Sequence, residues 1–420
     1  MLGLQCPKLL WYHFNRPSDI PPIDEATQAV FDEGKNVGEL AKSLYPNGVT
    51  IDNSSFTEGL RQSEKYIQQK QPLFEVGFMS NNCYARADIL VSYDQTQWDM
   101  IEVKTSTKVK DEHIKDVAFQ KFIFMNAGIK IRNCYLMFIN KDYLRKKELS
   151  PKEFFIKEDI TEQVDNEIIN IPNNLLILWE IVNAKDVSNI EIGTQCYEPN
   201  LCNLHDKCWP FLPKRSVFDL YIGKQKAFEL LKKGITLLKD IPDNFELTDN
   251  QKIQLINNKN NAAYINKEAI NNFLNKIQYP AYYLDFETFS TAIPILENTK
   301  PYQQVPFQYP LHIVKEKDSV PVHVSYLSER KDDLGKDFME SLKNNLGDAG
   351  SIIAYNAKFE RGVIEGCLLS NPEYAEWTKK IFPRILDLIE PFRGFYYYHP
   401  DQKGSASLKK SFTDLNWKKL

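Results

Sequence analysis

The sequence predicts an α/β protein: two halves, each a sheet flanked by helices, joined by a helical connector. Three observations carry that expectation. A strand–turn–strand–helix–strand series runs from Tyr84 to Asn140. A second series begins near Tyr279 with YPAYYLDFETFS and continues through SIIAYNAKFERGVIEGCLL and ILDLIEPF. At 420 residues the chain is also too long for one ordinary core. The expected divisions are 1–221, 222–278 and 279–420.

Composition narrows the class. Hydrophobic residues at 43% and charged residues at 26% suit a folded globular chain rather than a disordered or fibrous one. A net charge of −4 and a pI near 6.0 give no global basic footprint, so a nucleic-acid partner requires a local basic groove. No charged n-region and apolar h-region follow Met1, and LLILWEIV, the nearest approach to a membrane span, is too short. Seven cysteines, an odd number in a large chain, argue against a disulfide framework. A reducing cytoplasm without membrane association is expected, and the sequence leaves the oligomeric state open.

In chain order, CPKLLWYHF (Cys6 to Phe14) is compatible with a helix. IPPIDEA is a loop whose Asp24 can cap a helix through Phe31, Val37, Leu40 and Leu44, closed by the turn residues YPNG. A second helical stretch spans Ser55 to Gln69, and PLFEVGFM is a strand leading into the hairpin. Within that hairpin, Asp88 sits on the first strand, and Glu102 and Lys104 on the second. Glu102 and Lys104 share a face while Ile101 and Val103 point the other way, because the side-chain period of a strand is two. If the turn centres on Gln95, Asp88 and Glu102 become cross-strand neighbours. Two carboxylates and a lysine on one face can hold a divalent metal beside a cation, which suits attack on a phosphodiester. The plain alternative is a solvated face with a surface ion pair; the apolar neighbours Ile101 and Val103 favour the functional reading.

A helix carrying Gln120 follows, then NCYLMFIN as a buried strand. Residues 141–186 mix short elements, and LLILWEIVNA reads as a buried strand or a buried helix. The loop CYEPNLCNLHDKCWPF spaces Cys196, Cys202 and Cys208 by five residues each. That is wider than the two to four residues usual in structural zinc pairs, and a fourth ligand is needed. Cys6 is the candidate, since Cys83, Cys134 and Cys367 lie in apolar strand-like or helical contexts. Four thiolates suit a [4Fe–4S] cluster; zinc, with His205 able to replace Cys6, is the alternative. The stretch from Val217 to Ile277 reads as a solvated helical spacer interrupted by DIPDNFELTDN.

In the second half, Asp285 and Glu287 stand at i and i+2 on an apolar strand and so share a side. Asn356 is the expected N-cap of a helix with Glu360 in its first turn, and Asp387 lies on a further strand.

The order Asp88, then Glu102-x-Lys104, then a helix with Gln120 resembles the RecB-type nucleases of the PD-(D/E)XK superfamily. That resemblance implies that Asp88 and Glu102 hold Mg2+ or Mn2+, and that the Val103 carbonyl completes the site. It further implies that Lys104 positions or activates the attacking water and that Gln120 touches substrate. One cysteine near the start and three after the core resembles the iron–sulfur members of that group, where the cluster joins the ends of the nuclease domain. The set Asp285, Glu287, Asn356, Phe359, Glu360 and Asp387 resembles the DnaQ-type DEDD exonucleases of the RNase H-like fold, with Glu360 where Asp is usual. In that family the last acid follows Tyr or His by four positions on a helix. Tyr397 and Asp401 have the spacing, but Pro400 and Gly404 oppose a helix. With the chain closing at Leu420, the last helix and its Asp are expected to be missing and this half incomplete.

Taken together, CPKLLW, the Phe31/Gly34/Val37/Gly38 helix, the cysteines, YLDFETF, AYNAKFE and HPDQKGSASLK resemble an uncharacterised bacterial domain-of-unknown-function family. It joins a RecB-type iron–sulfur half to a DnaQ-like half. The expected activity is a metal-dependent nuclease acting on DNA, with RNA as the other possible substrate. A non-catalytic nucleic-acid-binding or assembly protein with degenerate sites is the alternative.

Overall fold

The structure, a computed structural model, describes residues 1–329 and 334–411. The part of the expected 279–420 division beyond residue 411 lies outside the described residues. The chain divides into two compact units: Met1–Cys208 with Thr291–Tyr302, and Trp209–Ser290 with Gln303–Leu420.

The first unit is built on a six-stranded mixed sheet with the strands in sequence order. They are β1 (Val49–Thr50), β2 (Leu73–Ser80), β3 (Cys83–Ser92), β4 (Gln97–Lys104), β5 (Lys130–Ile139) and β6 (Phe155–Asp159). β3 and β4 form the hairpin in the register Ile89↔Ile101, Leu90↔Met100, Val91↔Asp99, Ser92↔Trp98, centred on Gln95. Asp94 sets the turn: its Oδ1 accepts the N–H groups of Thr96 (2.6 Å) and Gln97 (2.7 Å). β4 and β5 are parallel, so the chain must cross over, and the Asp111–Asn126 helix makes that crossing. One sheet face packs Leu90, Trp98, Met100 and Leu136 against Val117, Ala118 and Phe124 of this helix. The other packs Ile89, Ile101 and Met137 against Val37 and Ala41 of the Glu25–Lys42 helix. Asp24 caps that second helix by accepting the Thr27 N–H.

The strands do not keep one facing throughout. Leu73 and Val76 lie in the same core although three positions apart, as do Ala87 and Leu90. Glu75 has φ +57, and the β2–β3 ladder passes from Phe74↔Ile89 to Val76↔Ala87 without a Glu75–Asp88 rung. A left-handed residue inside a strand reverses which side the following side chains take. Here it opens the sheet beside Asp88.

LLILWEIVNA departs from both expectations for it. It forms the Ile171–Asn183 helix, and Leu176 and Ile177 are exposed at 65% and 56%. The apolar run exceeds what one packed stripe can cover, and only Ile171, Leu175 and Ile181 join cores. The segment Thr291–Tyr302 also belongs to this unit: Ala292 is fully buried in the second core, and its N–H donates to the Glu33 carboxylate.

In the second unit, β7 (Tyr264–Ile265) pairs later with β14 (Tyr397–Tyr398). The main strands are β8 (Ala281–Leu284), β9 (Glu287–Phe289), β10 (Val305–Val314), β11 (Val322–Leu327), β12 (Ile352–Ala354) and β13 (Ile385–Asp387). Their order is β11-β10-β8-β12-β13, with β9 on the β10 edge; β8, β12 and β13 are parallel and β10 is antiparallel to β8. Phe338, Met339 and Leu342 of the Leu334–Asn345 helix pack on Tyr309 and Leu311. Residues 222–278 cluster with this unit, and Ala227, Leu230 and Leu255 of its helices bury a small core with Val217 and Leu220. Among the described residues no helix is long and apolar enough to cross a membrane.

Candidate active site

Continuing the β3–β4 register places Asp88 opposite Glu102 where the two strands part. The Val103 N–H donates to Asp88 Oδ2 at 2.8 Å, so the carboxylate stands in for a missing ladder partner. Glu102 is 5% exposed. Its Oε1 accepts from Lys104 Nζ (2.7 Å) and its Oε2 from Gln120 Nε2 (2.9 Å). Lys104 Nζ donates in addition to Asp116 Oδ2 at 2.7 Å. The structure thus brings Asp88, Glu102, Val103, Lys104 and Gln120 together at one end of the sheet.

Burial dominates the electrostatics. Desolvation, and then the neighbouring acids, push both Asp88 and Glu102 above the ordinary carboxylate range. For Lys104 burial opposes the charge, but Glu102 and Asp116 outweigh it and hold the ammonium above its usual value. Lys104 is therefore charged at neutral pH. A cleft of about 350 Å³ opens here, lined by Asp88, Glu102, Val103 and Lys104 and by Gly34, Gly38, Lys42, Glu75 and Arg86. An added Cβ at Gly34 or Gly38 would meet nothing within 4 Å, so the Glu25–Lys42 helix presents an open face to the cleft.

Sequence reasoning missed four contributors. Asp116 stands four residues before Gln120, hence on the same helix face, a spacing readable in advance. Glu75 interrupts the apolar run PLFEVGFM, and Arg86 and Lys42 flank it in space with ion pairs of 3.2 and 3.1 Å. Arg86 lies two positions before Asp88 on β3 and shares its side by strand alternation, Lys42 comes from the end of the Glu25–Lys42 helix, and only Glu75 depends on the irregular strand, which no pattern announces.

The donor set suits a divalent ion in kind: two carboxylates, Glu102 buried and Asp88 half-buried, that resist full ionisation. Among the described residues, however, no group of three or more His, Cys, Asp or Glu is spaced ready for a metal. Any ion here needs the backbone or water to complete its shell.

The cysteines gather elsewhere in the same unit. Cys6, Cys196, Cys202, Cys208 and His205 line one small pocket. Gln5 ties the N-terminal segment to the loop by donating to the carbonyls of Gln195 (2.9 Å) and Asn200 (2.7 Å). The Cys202 N–H donates to the Cys196 carbonyl (2.9 Å), and burial, with the three other sulfurs nearby, pushes the Cys202 thiol up. All four are free thiols, a donor set right in number and type for a thiolate-held group.

In the second unit, Asp285 follows β8, Asp387 ends β13, and Glu360 lies in the first turn of the Lys358–Cys367 helix. The parallel strands bring the first two to the same sheet edge. Glu360 is 2% exposed, and burial, with Asp285 and Asp387 adding to it, raises its carboxyl to about 7. Its Oε2 is buried without a partner. Asp387 accepts the N–H groups of Asn356 (2.9 Å) and Ile389 (3.1 Å). Asn356 is not the N-cap: it takes φ +69, and Ala357 occupies the cap position. Glu287 is exposed on β9, outside the charges that act on Glu360. Asp401 pairs with Arg215 at 2.8 Å, from a 3-10 turn.

Residues 282–407 match the family described as a domain of unknown function (DUF2779). The chain is also similar to the uncharacterized protein MG366 of Mycoplasma genitalium, 20% identical over 484 aligned positions that cover 89% of this chain and 72% of the relative. The family match takes in Asp285, Glu287, Glu360 and Asp387; the Asp88 cleft and the four cysteines lie outside it.

Proposed function

We propose that the chain is a metal-dependent nuclease that hydrolyses DNA phosphodiester bonds, on single strands or at duplex ends. The observation that carries the reading is the convergence of Asp88, Glu102 and Lys104 on one open cleft, with Gln120 buried behind them and bonded to Glu102. Asp88 and Glu102 would hold Mg2+ or Mn2+ with the Val103 carbonyl. The ion's chemistry, when bound, is to polarise the phosphate and make a bound water acidic. Lys104, held charged between Glu102 and Asp116, cannot take a proton from water. It orients the water and stabilises negative charge growing on the phosphoryl oxygens. Gln120 holds Glu102 through its amide nitrogen and keeps its oxygen for a hydrogen-bond donor of the substrate.

Within this reading the first unit is a RecB-like PD-(D/E)XK domain, supported by its antiparallel hairpin and helical crossover to a parallel strand. The second is RNase H-like, supported by its strand order and three parallel strands, with Asp285, Glu360 and Asp387 as a DEDD-type centre. Cys6, Cys196, Cys202 and Cys208 hold a structural [4Fe–4S] cluster, zinc being the competing occupant, and the protein works in the cytoplasm. One observation favours the rival, a nucleic-acid-binding or assembly protein without catalysis: Glu287 is exposed on β9 and is not among the charges that raise Glu360.

The test is degradation of labelled single-stranded and duplex DNA with Mg2+ or Mn2+ by the wild type, Asp88→Ala and Lys104→Ala. Loss of cleavage in both variants is expected. Equal cleavage in all three removes the assignment, and an Asp285→Ala variant then reports whether the second unit does the cutting.

A further inference from the structure

Glu75 is a non-glycine residue held at φ +57 within a strand, a conformation that costs on the order of 1 kcal/mol and persists only where its surroundings enforce it. Its backbone carbonyl accepts from Asn53 Nδ2 at 3.1 Å, and its carboxylate meets two cations. Its Oε1 faces Lys42 Nζ at 3.1 Å and its Oε2 faces Arg86 Nε at 3.2 Å. Its charge also reaches Asp88 and, after burial, adds to what raises that carboxyl. The strained residue thus sets two cations along the wall of the Asp88 cleft.

The two cations are not equivalent. Lys42 is 9% exposed and bridges Glu39 and Glu75, so its charge is spent. Arg86 is half exposed, with side-chain exposure of 48%, and approaches Glu75 Oε2 through Nε at 3.2 Å. A half-exposed guanidinium can offer two nitrogens at once in a planar, two-pronged grip on phosphate. Of the other cations lining the cleft, Lys104 is occupied by Glu102 and Asp116, and Lys35 pairs with Asp32 at 3.1 Å.

We propose that Arg86, held in place by the strained Glu75, binds a backbone phosphate of a nucleic-acid strand lying in the cleft. This rests on the nuclease reading and deepens it. It names the chemistry by which an acidic protein grips a polyanion: one preset arginine beside the acids rather than a broad basic face. Arg86 then contributes to strand binding and not to bond cleavage, so its loss raises KM and leaves kcat near the wild-type value.

The experiment measures binding of a fluorescently labelled oligothymidylate by anisotropy, with Ca2+ in place of Mg2+, from 0.05 to 0.5 M salt, for the wild type and Arg86→Gln. Glutamine keeps the aliphatic stem, and Arg86→Lys serves as the conservative variant. For one phosphate contact to a single strand, Arg86→Gln should lower the slope of log affinity against log salt by about 0.7, which is about fivefold in affinity at 0.1 M. Arg86→Lys should restore the slope and part of the affinity. Unchanged slope and affinity in Arg86→Gln overturn this proposal while leaving the nuclease assignment standing. Absence of salt-dependent binding by the wild type overturns both.

Discussion

Replacing Glu360 with glutamine should stabilise the metal-free protein at alkaline pH and leave it unchanged in acid. Glu360 is 2% exposed and titrates near 7 against an ordinary 4.5, because burial and the charges of Asp285 and Asp387 disfavour its ionised form. Between those two pH values the folded chain keeps a proton that the unfolded chain has lost, so stability falls as pH rises through that window. Below 4.5 both states are protonated and nothing is lost. Above 7 both are ionised and the penalty is complete. At 1.36 kcal/mol per pH unit it amounts to roughly 3 kcal/mol. Glutamine cannot ionise, so Glu360→Gln removes the slope. Thermal melts in EDTA should show the variant melting higher at pH 8.5 by about 6–12 °C in the transition of the second unit, at 2–4 °C per kcal/mol. Any cost of the new amide is independent of pH and appears equally at pH 4.5. A difference between variant and wild type that is the same at both pH values refutes the reasoning, since it means the carboxyl is not neutral in the fold.

Two further outcomes are expected. Trp98 is 1% exposed on β4 against the crossover helix, and Trp98→Ala should cost about 3–5 kcal/mol in denaturant titration of the first unit; a loss under 1 kcal/mol contradicts the packing described. Anaerobic purification should yield iron and sulfide in the wild type and neither in Cys202→Ser, whose sulfur sits buried among the other three. One zinc per chain without iron ends the cluster assignment.

Much of the first site is readable because it follows from local rules. A tight turn on Asp94 fixes the register, register fixes which residues face each other, and period two puts Glu102 and Lys104 on one side. Asp116 was missed, although the helical spacing that puts it on the same face as Gln120 makes it readable. Glu75 was hidden for a physical reason: a positive φ in mid-strand comes from tertiary enforcement and breaks the alternation on which sequence reading depends. Cys6 was reachable only by elimination, since its partners lie about two hundred positions away and their meeting depends on the docking of Gln5. The exposed face of the Ile171–Asn183 helix was misjudged because hydrophobic run length reports burial poorly when the run exceeds a single packed stripe.

The short segment Thr291–Tyr302 sets an order of events during synthesis. Ala292 fills a position in the core formed by Val37, Ile89 and Ile101, and Arg145 Nη1 donates to the Pro294 carbonyl at 2.7 Å. The first unit therefore lacks this piece of its core until translation has passed residue 302, although its last preceding residue, Cys208, emerges some ninety positions earlier. Through that interval a nearly finished half waits on the ribosome with one side of its core open to water. A fragment ending at residue 221 would be held in the same unfinished state permanently.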